Sequence, residues 1–375
     1  PSLAPLISSL IIIIGVGIFW LQESKTSHFF EIGLRGEVVI AISTLIGAIL
    51  QFGIQIPLLI KKGFSKVKFI FDLKNEGVKE VLRIIIPATF SSGMLQLNVI
   101  TDLFFASGII GAAAGLSYAN FIIQAPLGLI SNGLLIPLLP TFSRLKDDKN
   151  IGELTKKIGQ SLNISSATMI GLASILIALC NPIVELVYER GAFDQAAVNL
   201  VSPLLIAYAI GMPVYLGRDL LVRVFYALGD AKTPFNLSAI GIWLNIFFDW
   251  ILIGGPSPWG NQLPFNFGAT GIVLATVLIN FITCSALLFK LNIKIGNLPI
   301  KKWCFDSLKM IFAGCISSII CWQLSSIISG RIGFISLLIE VIFSAFFGLL
   351  TFALISSLLK VNEITKIFKK KIIRF

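Results

Sequence analysis

Residues 241–254 read GIWLNIFFDWILIG, with Asn245 and Asp249 four apart inside an otherwise apolar run. The arrangement recurs in LQLNVITDLFF, where Asn98 and Asp102 are four apart. On a helix each pair shares a face, one turn apart. Each offers an amide, which both donates and accepts, beside a carboxylate that only accepts when ionised. Placing Asp at the centre of a membrane helix costs about 2.5–3.5 kcal/mol on the insertion scale, so such an acid needs a partner or a watery cavity. The residues alone leave two readings open. One is a hydrogen-bonded anchor between helices; the other is a site for Na+ or a proton, since hard cations take carboxylate and carbonyl oxygens.

The surroundings of these pairs are those of a membrane protein. Of 375 residues, 56% are hydrophobic and 13% charged, with a mean hydropathy of +0.91; soluble domains carry about 25% charged residues. A crossing helix needs roughly 20 apolar residues. Ten runs qualify, at about 1–22, 38–60, 84–106, 112–140, 159–181, 196–217, 235–254, 268–290, 305–328 and 333–358. The fourth carries Pro126, Pro137 and Pro140, which predicts a kink or an early end. The chain therefore reads as an all-α polytopic membrane protein of about ten transmembrane helices.

Charge supports that count. All 30 basic residues except Lys25, Arg35, Arg190 and Arg331 fall in alternate connections (61–83, 141–158, 218–232, 290–309) or in the tail after 359. Such asymmetry marks the cytoplasmic side and puts both ends of this chain there. The net charge of +11 thus belongs to helix-flanking loops, not to a nucleic-acid surface. The five cysteines lie in or beside apolar runs with no CxxC pair, as small hydrophobes do, and the single His28 sits in a polar loop. The chain opens PSLAPLISSL, without Met and directly in an apolar run, and so reads as a fragment missing its true start.

Other polar residues carry weaker signals. Ser and Gly in stretches such as CISSIICWQLSS fit close helix packing. Glu185, Glu189, Arg190 and Asp194 suit a solvated helix cap, Arg218 and Asp219 a pair near a helix end, and Glu340 a snorkelling or paired acid. No Ser-His-Asp set, P-loop or GxGxxG before a helix stands in the chain, so nothing in it signals an enzyme.

Several stretches together carry a family resemblance. VYERGAFD, RVFYALGDAKTP, PLGLISNGLLIPLLPTFSRL and NVITDLFFAS, with the Asn245/Asp249 pair, resemble the MurJ (MviN) family of lipid II flippases across most of residues 80–290. The resemblance implies a MATE-like fold of the MOP superfamily: fourteen helices in two six-helix lobes, then two more. By that alignment the chain lacks roughly the first four. Residues 1–80 would hold the last two helices of the first lobe and a cytoplasmic loop, 81–292 the second lobe, and 293–375 the extra pair with a basic tail.

The resemblance also implies a sodium site at Asp102, Asn245, Asp249, Ile272 (through its carbonyl) and Thr276. Asn98, Asn120, Arg218, Asp219 and Arg223 become candidates for cavity lining or gating. One departure stands out: many relatives read Tyr-Ala-Asp-Arg where this chain has Tyr118, Ala119, Asn120 and Phe121, so the cavity arginine expected there is absent. The implied activity is movement of lipid II, the undecaprenyl-pyrophosphate-linked peptidoglycan precursor, across the bacterial inner (plasma) membrane by alternating access. The implied partners are lipid II and membrane lipids, with no nucleic acid, and the protein acts as a monomer. The rivals are another transporter of the superfamily, for polysaccharide-lipids or drugs, and a membrane scaffold that transports nothing. The charge asymmetry makes a direct prediction: a cysteine introduced in the 61–83 loop reacts with impermeant thiol reagents from the cytoplasmic side alone, and labelling from outside overturns the topology.

Overall fold

The computed structural model describes residues 4–25, 36–54, 97–145, 151–254, 265–296, 298–329 and 333–359, with Val361 and a few isolated positions between 56 and 79. His28, the basic stretches 61–75 and 362–375, the short basic segment 146–150 and the start of the third apolar run at 84–96 lie outside the described residues. The chain divides into two compact units, Pro1–Arg83 and Ile84–Phe375.

The first unit contains α1 (Ala4–Lys25) and α2 (Gly36–Gly53), packed against each other. Small residues make the seam, with Gly15 against Ser43 and Gly47 against Ser8. In lipid, apolar helices gain little from one another's hydrophobicity, so contact concentrates where backbones can approach.

The second unit is built from α3 (Leu97–Ala106), α4 (Ala112–Ile130), α5 (Ile136–Arg144), α6 (Ile151–Ala178), α7 (Cys180–Tyr188), α8 (Gln195–Ala227), α9 (Lys232–Ile253), α10 (Ala269–Ile295), α11 (Ile300–Ile328) and α12 (Phe334–Leu358). Among the described residues, seven runs are long and apolar enough to cross a membrane: Ala112–Arg144, α6, and α8 through α12. Shorter apolar stretches lie in α1, α2 and α3. The chain is an all-α polytopic membrane protein.

Proline shapes the fourth run as the sequence predicts. A π turn at Ser131–Leu135 separates α4 from α5. Pro137 has no N–H for the carbonyl four residues back, and its ring crowds that carbonyl, so the turn before it widens.

The helix α8 is the hub. It packs against α4, α6, α7 and α10, and its buried residues include Val201, Leu205, Met212, Leu216 and Leu220. Asp194 caps its start, its Oδ1 accepting from the Ala197 N–H at 3.0 Å, the role expected for an acid at a helix end. The turn into α9 needs Gly229 at φ 77, a left-handed conformation that costs glycine little. Next to it, Asp230 Oδ1 accepts from Thr233 N at 3.0 Å and Oδ2 accepts from Lys294 Nζ at 2.8 Å. The Lys294 ammonium thereby holds the Asp230 carboxyl below its ordinary range, tying the α8–α9 turn to the end of α10.

The helix α9 is built inside out. Its buried residues are Pro234, Gly241, Asn245 and Asp249, whereas Ile240, Trp243 and Phe247 face outward, Trp243 with 75% of its surface exposed. Apolar side chains suit lipid and the polar stripe faces protein, the reverse of a soluble helix. The α11–α12 pair follows the same rule. Ser317 Oγ donates to the Gly348 carbonyl at 2.6 Å, and Ser325 Oγ donates to Glu340 Oε1 at 2.5 Å. Glu340 is thus a paired buried acid, not a snorkelling one.

At one end α9 and α10 touch backbone to backbone. A Cβ added at Gly271 would stand 2.5 Å from the Leu252 carbonyl oxygen, a contact that only a shift of the helices relieves. Gly271→Ala should therefore lower stability by about 1–3 kcal/mol in thermal unfolding of the detergent-solubilised protein. Gly152→Ala, where nothing stands within 4 Å, serves as the neutral comparison.

Candidate cation site

Three helices of the second unit converge on one polar cluster. Asn245 on α9 donates through Nδ2 to Asp102 Oδ1 on α3 at 2.9 Å, and to Asp249 Oδ2 one turn along α9 at 2.8 Å. Thr276 on α10 donates through Oγ1 to Asp102 Oδ2 at 3.2 Å. Ile272, one turn from Thr276 on α10, is fully buried, as are Asn245 and Asp249. Residues 143 positions apart in sequence thus meet because α9 and α3 turn their polar faces to the same point. The amide must present nitrogen to both acids, since its oxygen there would meet only acceptors.

Two atoms of this cluster are left over. Asn245 Oδ1 and Asp249 Oδ1 are buried with no hydrogen-bond partner. Buried polar atoms are normally paired, and each orphan carries a desolvation penalty of about 1–3 kcal/mol. The available ligands, two carboxylates, an amide oxygen and a hydroxyl, are all oxygen, the donor set of a hard cation. The residues fit such an ion. Among the described residues no group of three or more His, Cys, Asp or Glu could hold a metal, so a multivalent ion bound by acids alone has no counterpart here.

The gating candidates occupy the neighbouring turns. Arg218 and Asp219 do not pair with each other. Adjacent helical residues point about 100° apart, and each finds a different partner. Arg218 donates through Nη1 to Asn280 Oδ1 and through Nη2 to Ser238 Oγ, both at 3.1 Å. Asp219 accepts from Arg223 Nη2 at 3.1 Å and from Ser131 Oγ at 2.9 Å. Asn98, Arg218 and Asp219 line a cavity of about 320 Å³ together with Ser238, Asn280 and Thr283. Asn120 and Phe121 lie exposed on α4, away from this cluster's hydrogen bonds.

Asn280 was not a sequence candidate, though its signal was present. It stands in VLINFIT, an amide within an apolar run, four residues after Thr276, and its Nδ2 donates to the Thr276 carbonyl at 2.7 Å. Ser238 and Ser131 carried no such signal, because serines in membrane helices commonly bond their own backbone.

The family model described as "Lipid II flippase MurJ" matches residues 1–343. A probable lipid II flippase MurJ from Synechocystis sp. is 42% identical over 340 residues, covering 91% of this chain and 62% of that protein. The counterpart from Rickettsia prowazekii is 30% identical over 220 residues, covering 59% of this chain and 43% of that one. Among solved structures, a lipid II flippase MurJ in an inward closed conformation superposes with a TM-score of 0.71 at 25% identity, covering 96% of this chain and 67% of that one. The chain spans about 62% of the length of the Synechocystis relative. With a family-model match over more than nine-tenths of its residues and the matching helical fold, the chain belongs to the MurJ lipid II flippase family.

Proposed function

We propose that the protein works as a lipid II flippase of the bacterial inner membrane, moving the undecaprenyl-pyrophosphate-linked precursor from the inner to the outer leaflet by alternating access. It acts as a monomer with its C-terminus in the cytoplasm, coupled to sodium held at Asp102, Asn245, Asp249, Ile272 and Thr276. The observation that carries this reading is the Asn245-bridged acid pair, with its two orphaned oxygens, in a chain of this family. A charged headgroup crosses hydrocarbon only through a polar path, because burying its charge unaided is prohibitive. The membrane potential favours outward movement of the anionic headgroup by about 2.3 kcal/mol per charge per 100 mV.

The residues divide the work. Asn245 holds both carboxylates at one point, and Thr276 fixes the free side of Asp102. A bound sodium ion supplies the positive charge that offsets two acids sharing one amide. Because Asp102 lies on α3, Asn245 and Asp249 on α9, and Thr276 on α10, filling the site ties three helices, and emptying it leaves like charges that repel. That difference between filled and empty states is what a conformational equilibrium can be biased by.

Asp249→Asn separates this reading from a purely structural anchor. The substitution keeps shape and most hydrogen bonding while removing one charge. Sodium-dependent flipping of labelled lipid II in proteoliposomes should drop about tenfold or lose its sodium dependence, with thermal stability changed by less than about 1 kcal/mol. Unchanged transport across a range of sodium concentrations sinks the cation role and leaves the anchor.

A further inference from the structure

We infer that the 320 Å³ cavity is the route by which a monovalent cation passes between the cytoplasmic side and the Asp102/Asp249 pair, and that Arg218 is a tethered positive charge closing it. The inference rests on the cation reading above and adds to it a path, a direction and a gate.

The cavity's position supplies the path. Three of the four helices that line it, α3, α9 and α10, carry a member of the acid cluster about one turn further along, and the fourth, α8, carries Arg218. Asn98 precedes Asp102 on α3, Gly241 precedes Asn245 on α9, and Asn280 follows Thr276 on α10. Its volume of about 320 Å³ has room for roughly ten waters at liquid density, ample for a partly hydrated ion. Asn98, Ser238, Asn280 and Thr283 provide oxygen along the wall.

Packing supplies the direction. Away from the cavity, α9 and α10 meet at Gly271 and Leu252, where a Cβ would have no room, and Phe267 N–H donates to the Leu252 carbonyl at 3.0 Å. Between α9 and α10, backbone contact leaves no gap at that end. The cavity instead extends along Val222, Tyr226, Pro234 and Phe235, toward the turn at 228–231 whose basic flanks mark the cytoplasmic side.

Arg218 supplies the gate. Its guanidinium bonds Asn280 Oδ1 and Ser238 Oγ, two oxygens that a travelling cation would otherwise use. Asn280 bonds the Thr276 carbonyl, and Thr276 bonds Asp102. A continuous hydrogen-bonded chain therefore runs from the guanidinium to the acids. Asp219 also lines the cavity, but its carboxylate is paired with Arg223, so Arg218 makes no direct ion pair and its guanidinium bonds neutral oxygens alone. A second cation there meets both repulsion and occupied ligands; once the side chain swings aside, both obstacles go together.

The test uses the intact protein in proteoliposomes, with native cysteines replaced and Ile242→Cys introduced as a reporter on the cavity wall. A small quaternary-ammonium thiol reagent should modify it from the cytoplasmic side alone and more slowly in sodium than in choline. Arg218→Gln should speed both this reaction and the exchange of radioactive sodium by roughly tenfold, whereas Arg218→Lys, which keeps the charge but not the fork, should stay slow. A merely structural arginine predicts the opposite, with Gln tolerated and Lys no better. Modification from the outer side, or equal rates in Arg218→Gln and the parent, overturns the route while Asp249-dependent sodium retention keeps the cation site standing. Absence of sodium retention sensitive to Asp249→Asn removes the site and the route together.

Discussion

The side chain of Asn245 is the point on which the second unit turns. One amide nitrogen serves two carboxylates from different helices, at a depth where neither acid could be left alone. Remove that amide and Asp102 and Asp249 face each other as like charges in a poorly polarisable medium, where their repulsion is weakly screened. Keep it and α3 and α9 are joined, but two oxygens stay without partners. The cluster is therefore stable enough to form and incomplete enough to bind. That combination suits the cation-coupled cycle proposed above.

Everything around the cluster follows from the solvent being lipid. A soluble helix buries its apolar stripe; α9 buries Pro234, Gly241, Asn245 and Asp249 and turns Trp243 and Phe247 outward. The same inversion joins α11 to α12 through Ser317 and the Gly348 carbonyl, and α1 to α2 through facing Gly and Ser. Hydrophobicity holds these helices in the bilayer, while small and polar residues decide which helices meet. The hub helix α8 departs from that pattern, burying Val, Leu and Met on several sides because other helices surround it.

Charge at the opposite turn of the same helices completes the design. Lys294 fastens the α8–α9 turn through Asp230, while Arg223 and Asp219 neutralise each other beside Ser131. Arg218 differs in bonding only neutral oxygens. On the route inferred above, the opposed charges of Arg218 and the acid pair, separated by Asn280 and Thr276, would make an ion's energy vary along the helices.

The sequence by itself determined the membrane class, a proline-induced break in the fourth run and the two acids that had to be accommodated. These follow from local quantities: hydropathy summed over twenty residues, the missing N–H of proline, the cost of a buried carboxylate. Four-residue spacing also put Asn245 and Asp249 on one face, and their direct bond is that spacing realised. Only the tertiary structure decided that Asp102 shares the same amide, that Arg218 turns from Asp219 to Asn280 and Ser238, and that a cavity lies beneath the site. Hydropathy says that a helix lies in the bilayer, but its rotation and neighbours depend on contacts between residues over a hundred positions apart, and no window along the chain contains both partners.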